Sequence, residues 1–364
     1  VKNGSYSSLL SALDSTSRGV GPFTSRGVEP EDILDLAIED DSATERKVPG
    51  QGGRLRIAAN SYVTTDIDTK NNNDKISLVF AHATGFHKEL WIPVIKKLHE
   101  QRHRWNGGDI WTLDCSNHGD SALLNKDVLP NSFQWPDFSR DILQLIDEAK
   151  IKKPIIGIGH SFGGASILMA ETIRPGTFAS ILAIEPICNP MFIKGFRLDN
   201  TTVKKRRDRW PDRETAHAGF STNPFFQCWD PETLNLYVQY GLYELPSGEV
   251  TLKCSKTQEF YTFFHEPASK VSTFHQLPKI QCPILFVVGS KSTYDSKDVA
   301  LLRATQCQNG EIICVDTGHL VPMEKPVLTA DIIEYFARKL SRNNSKLHKK
   351  LSEDINVHPV LAML

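Results

Sequence analysis

Short apolar runs rich in β-branched residues recur along this chain from residue 54 onward. Leu55–Ala58 and Tyr62–Thr65 read as a leading hairpin. Ile76–Phe80, Ile110–Leu113, Ile155–Ile158, Ile181–Ile184, Ile284–Val288 and Ile312–Val315 read as buried strands. Between most of them apolar positions fall three and four apart, as in Trp91–His99, Phe138–Ala149 and Val327–Leu340. That spacing gives a helix one buried face. Strands alternating with helices predict an α/β fold: a mostly parallel central sheet with helices on both faces. Between residues 187 and 278 the alternation stops. This stretch reads as helical and loop-like, without clear buried strands, and is dense in aromatics such as Trp210, Phe225, Phe226, Trp229 and Tyr237. The pattern therefore divides the chain into a core at 51–186 and 279–340 and an inserted helical cap or lid at 187–278. A loose tail at 1–50, with one short helix expected at Glu31–Glu39, and a polar, basic tail at 341–364 flank them.

Composition narrows the class. A chain of 364 residues holds one large domain with an insertion, or two small ones. Hydrophobic residues at 40% and charged residues at 23% are ordinary for a globular enzyme. A net charge of −1 gives no basic footprint for nucleic acid. No apolar run approaches the roughly 18 residues that cross a bilayer, and the first residues lack a signal-peptide pattern. Seven cysteines, an odd number at no metal-binding spacing, fit a reduced, cytoplasmic protein, with no metal or cofactor expected.

The candidate chemistry centres on Gly159-His160-Ser161-Phe162-Gly163, set between an apolar run and a helical pattern. This order puts Ser161 on a sharp strand-to-helix turn, with its hydroxyl expected in solvent and the helix N-terminus aimed at it. Ala165, Leu168, Met169 and Ile173 lie on one face of that helix. A serine nucleophile needs a base. His319, in Gly318-His319 just past the last predicted strand, has the right place in chain order. The acid that orients it has two candidates. Glu185 ends the otherwise apolar run Ile181–Ile184, where a carboxylate is costly unless partnered. The alternative, Asp295, lies in Gly289-Ser290-Lys291-Ser292-Thr293-Tyr294-Asp295, where Ser292 holds the third position after the glycine. Glu185 is preferred. The oxyanion donors are expected to be the N–H groups of Phe162 and of Thr84, in the loop His82-Ala83-Thr84-Gly85. His82 is expected to brace that loop.

Together these segments, with Asn117-His118-Gly119-Asp120-Ser121, resemble the α/β-hydrolase superfamily over residues 54–340. They are most similar to fungal hydrolases that include a peroxisomal lipase. Those proteins share the Asn-His-Gly-Asp-Ser loop, a Glu-Pro like Glu185-Pro186 and a Gly-x-x-Ser turn like Gly289–Ser292. That sharing, and the haloalkane dehalogenases that take their acid after the corresponding strand, supports Glu185. Ala83 departs from the family pattern, which has glycine there. The resemblance implies a serine esterase or lipase that cleaves small-molecule or lipid esters with an apolar acyl group through an acyl-enzyme. The same residues would serve a thioesterase or a carbon–carbon hydrolase, and the fold also admits a non-catalytic ligand-binding protein. The terminal Ala-Met-Leu lacks the basic residue of a peroxisomal address such as Ser-Lys-Leu.

Overall fold

A computed structural model describes residues 34–37, 55–62, 75–190, 200–264, 268–341 and 358–359. The strands in chain order are β1 (Leu34–Ala37), β2 (Arg56–Tyr62), β3 (Ile76–Ala81), β4 (Gly107–Leu113), β5 (Ile155–His160) and β6 (Ser180–Ile184). They continue with β7 (Arg209–Trp210), β8 (Leu242–Glu244), β9 (Val250–Leu252), β10 (Ile284–Gly289), β11 (Gly310–Val315) and β12 (His358–Pro359). Nine of them form one sheet in the order β1-β2-β4-β3-β5-β6-β10-β11-β12. The strands from β4 to β11 run parallel, and β1, β2 and β12 pair antiparallel at the edges.

The parallel strands are apolar on both faces because both faces are covered. Alternate residues serve opposite layers: Phe286 and Val288 of β10 pack on one side, Leu285 and Val287 on the other. One layer holds α2 (Trp135–Glu148), α3 (Phe162–Ile173) and α4 (Lys297–Gln306); the other holds α1 (Ile92–Glu100) and α5 (Pro326–Ser341). Trp135, Phe138 and Phe162 meet in the first layer, and Trp91 lies 4.9 Å from Phe80 in the second. Each fully buried large apolar side chain contributes about 1.5–3 kcal/mol. The α3 helix differs from the amphipathic pattern expected: Phe162 to Glu171 are all buried, whereas Ile173 is exposed. The helix is covered by β5 and β6 on one side and by α2 and Ala268–Gln276 on others.

Two expectations near the start are corrected. No hairpin forms at Leu55–Ala58 and Tyr62: Arg56 to Tyr62 run as one strand, and Ala59, Asn60 and Ser61 pair with Leu113, Thr112 and Trp111. Val63–Thr65 lie outside the described residues. Within the expected helix Glu31–Glu39, Leu34–Ala37 form a strand on β2, and the other residues lie outside the described set. The remainder of 1–50 and 342–357 is likewise outside it.

Between β6 and β10 the described chain is mainly helical, with Arg213–Ser221, Pro231–Gly241, Lys256–Phe264 and Ala268–Gln276. Asp212 and Asp230 cap the first two of these by accepting backbone N–H groups. The expectation of no strands fails in detail, because β7, β9 and β8 make a three-stranded sheet. They are two or three residues long, too short to carry a period-2 signal. Trp210, Ala216, Val238, Leu242 and Val250 form a local core. A second cluster joins Phe226, Trp229 and Tyr237 of this segment to Ala83, Phe86 and Leu90 after β3 and to Leu320 and Met323.

Candidate active site

The C-terminal ends of β5, β6, β10 and β11 bring the sequence-predicted residues together. Ser161 follows β5 directly, at φ 55° and ψ −113°, a conformation an L-residue adopts only under constraint. Its N–H donates to Ile184 O at 2.9 Å, and its carbonyl accepts from Ala165 and Ile187. The flanking glycines have a steric reason. A Cβ on Gly159 would strike the Gly163 carbonyl, and one on Gly163 would strike the carbonyls of Ala81 and His82. Helix α3 thus seats against the end of β3 only because Gly163 carries no side chain. The expectation of a solvent-facing hydroxyl is corrected, since Ser161 is only 8% exposed.

The Ser161 hydroxyl lies 3.0 Å from His319 Nε2, and His319 Nδ1 lies 2.9 Å from Glu185 Oε2. Glu185 is fully buried and also has a positive φ, 49°. Its carboxylate is well supplied with donors: Gly289 N–H to Oε1 and the Ser292 hydroxyl to Oε2, both at 2.6 Å. Burial raises its pKa to about 7, against the opposing pull of those two hydrogen bonds. Burial lowers the His319 imidazole to about 4. When Glu185 is ionised, three donors converge on its carboxylate, His319 Nδ1–H among them, which leaves the Nε2 lone pair facing Ser161.

Asp295, the alternative acid, makes no hydrogen bond to His319. Its carboxylate pairs with the buried Arg303 and accepts from Ser296 N–H. Arg303 Nη1 donates in turn to Pro186 O at 2.5 Å, tying this pair to the segment that carries Glu185.

The loop after β3 is braced as expected. His82 is fully buried, and burial depresses its imidazole to about 3. The neutral ring donates from Nδ1 to Ala83 O at 2.8 Å and accepts Cys115 N–H at Nε2 at 3.0 Å. The Asp114–Ser121 loop supports the same region, with Asp114 accepting Lys88 and Asp120 N–H groups. Among the described residues, no acceptor takes the N–H of Thr84 or of Phe162, the latter an unpaired donor of the first helical turn. Glu89, Asp114 and Asp120 cluster closely enough to suggest a cation site, but the Lys88 ammonium already lies against all three.

Four residues here carried no legible role in the sequence. Ser292 and the Gly289 N–H hold Glu185, and their only signal was a hydroxyl where an acid is usual. His160 donates from Nε2 to His319 O at 2.9 Å, and the Tyr294 ring lies on the His319 ring. Among the described residues no helix is long and apolar enough to cross a membrane.

A family model described as "Alpha/beta hydrolase family" matches residues 78–332. The chain is 31% identical over 233 residues to a "Type I acyl-CoA thioesterase mpaH" of Penicillium roqueforti, covering 58% of this chain and 53% of that protein. It thus spans about half the length of that relative. It is 27% identical over 225 residues to the "Abhydrolase domain-containing protein AFT2-1" of Alternaria alternata, covering 52% of this chain and 85% of that protein. In three dimensions it is similar to the peroxisomal alpha-beta-hydrolase Lpx1 of Saccharomyces cerevisiae. That match has a TM-score of 0.71 at 20% identity, covering 85% of this chain and 88% of the other.

Proposed function

The chain belongs to the alpha/beta hydrolase family, and we propose that it is a serine hydrolase cleaving carboxylic esters of an apolar acyl group. The observation that carries this reading is the continuous hydrogen-bond path from Ser161 through His319 to Glu185, at 3.0 and 2.9 Å. In the proposed reaction Ser161 Oγ attacks the acyl carbon while its proton passes to His319 Nε2. Glu185 holds Nδ1–H and balances the imidazolium charge as it forms. The oxyanion is held by the N–H groups of Thr84 and Phe162. Collapse expels the alcohol or thiol, which takes the proton from Nε2 and leaves an acyl ester on Ser161. Water then attacks with His319 again as base, releasing the acid and restoring the serine.

The apolar acyl preference is supported by Phe86, Trp229, Tyr237, Leu320 and Met323, which pack as one cluster beside the site. Phe86 faces the His160 ring, and Leu320 follows His319. In this reading the segment from 187 to 278 acts as a lid whose aromatics line the acyl side. The absence of disulfides among seven free cysteines suits a reducing compartment.

A thioester substrate is a second reading, favoured by the relative named as an acyl-CoA thioesterase. The test runs p-nitrophenyl esters from acetate to palmitate beside coenzyme A thioesters of the same acyl chains, on wild type and Ser161→Ala. The expected result is turnover of at least one series, falling in the variant by as much as about 10⁶-fold. Higher kcat/KM for thioesters selects the second reading. Turnover of neither series, or turnover that survives Ser161→Ala, overturns both.

A further inference from the structure

The loop where an acid is usual does a different task. Ser292 Oγ donates to Glu185 and accepts the N–H groups of Tyr294 and Asp295, each at 3.2 Å. Asp295 is locked to Arg303, which also holds Pro186 O. Helix α4 starts immediately afterwards, with Ser296 accepting Val299 N–H. Tyr294 is therefore pinned on both sides to the strand end that carries Glu185. Its half-buried ring lies on the His319 imidazole, with centroids 4.4 Å apart and planes within 19°.

Two hydrogen bonds at opposite nitrogens do not fix an imidazole completely. The side chain can still librate about its Cα–Cβ and Cβ–Cγ bonds, which moves both lone pair and N–H out of alignment. A flat neighbour on the ring face removes that freedom. On another side the His160 ring lies 5.1 Å away at 43° and anchors the His319 backbone by its bond to the carbonyl. The geometry points to Tyr294 as a positioning residue: its ring holds the His319 imidazole in the plane that joins Ser161 to Glu185, and offers a π face to the charge the imidazole acquires. This rests on the Ser161–His319–Glu185 reading. A π face beside a forming cation favours it electrostatically, on top of the ordinary stacking contact.

The titratable groups around His319 are Glu185 at Nδ1, His160, Tyr294 itself, Asp295 held by Arg303, and Glu324, which accepts Gly318 N–H at 2.9 Å. Only Tyr294 meets the imidazole face to face at stacking distance among these.

The test compares pH profiles of kcat/KM for wild type, Tyr294→Phe and Tyr294→Leu, with Ser161→Ala as the blank and thermal unfolding recorded for each. Tyr294→Phe keeps the stack and is expected to hold kcat within about twofold, with the acid limb in place. Tyr294→Leu is expected to lower kcat by about threefold to tenfold with little change in KM, and to move the acid limb down by about half a pH unit. If Tyr294→Leu does not fold, Tyr294→Met takes its place. A Leu or Met variant with wild-type kcat and limb overturns the inference while leaving the triad reading intact. Activity in Ser161→Ala overturns the triad reading itself. A Phe variant as impaired as the Leu variant also overturns the inference about Tyr294, because the stack alone would then not suffice.

Discussion

Glu185→Gln separates stability from function at one atom. Burial raises the Glu185 carboxyl from its ordinary 4.5 to about 7. At about 1.36 kcal/mol per pH unit, that rise corresponds to about 3 kcal/mol. The sign follows from linkage. The folded state binds this proton more tightly than the unfolded chain, so the contribution to stability is whole below pH 4.5 and is lost as pH rises through 7. Above that the wild type carries a buried anion, and Gln does not. Urea unfolding of both proteins at pH 5, 6, 7 and 8 should show the variant gaining on the wild type with pH, by about 2–3 kcal/mol across the range. Activity should move the other way. A neutral amide cannot balance the imidazolium, and because the Gly289 N–H can only donate, the amide oxygen stays on that side and turns the N–H₂ to Nδ1, which favours the wrong tautomer. The expected loss in kcat is about 10³–10⁴-fold. A stability difference that does not vary with pH, or a variant within tenfold of wild-type kcat, would refute this account of Glu185.

Three other outcomes follow from the same geometry. The acid limb of wild-type kcat/KM should lie near pH 7, activity falling below it, because the Glu185–His319 pair titrates as one unit and its carboxyl is raised to about 7; a limb near 4 contradicts this. Asp295→Asn should cost about 3 kcal/mol or more in denaturant unfolding by leaving Arg303 uncompensated, yet keep kcat within tenfold. A loss of 10³-fold would reassign the acid. Gly163→Ala forces the Ala81 and His82 carbonyls to move and should lower stability by about 1–3 kcal/mol in the same assay. An unchanged midpoint would show that the end of β3 is free to shift.

The parallel strands were legible because each is buried on both faces and so reads as an unbroken β-branched run; every one expected from Ile76 onward is present in the sheet. The edge was not. Asn60 looks like a turn residue, yet it is 4% exposed, pairs opposite Thr112 and sends its amide towards Glu89, so sheet pairing overrides its local preference. The stretch at Leu34–Ala37 has helical spacing but joins β2 as a strand, again by pairing that no local window contains. In the site, Ser161 was marked by its turn glycines and Glu185 by the cost of ending a buried strand with a carboxylate. What satisfies that carboxylate, Ser292 and the Gly289 N–H, lies more than a hundred residues away, and its only trace in the sequence was a hydroxyl where an acid is usual. Tyr294 was equally silent, because a ring that stacks on an imidazole looks in sequence like any loop tyrosine.

The central claim is that Ser161 is an activated nucleophile. The direct measurement is intact-mass and peptide-level analysis after exposure to a fluorophosphonate, on wild type, Ser161→Ala and His319→Ala. The account predicts one phosphonyl group per wild-type chain, attached at Ser161, none on Ser161→Ala, and labelling slowed by orders of magnitude in His319→Ala. An unlabelled wild type, or a label on another residue that persists in Ser161→Ala, would contradict it.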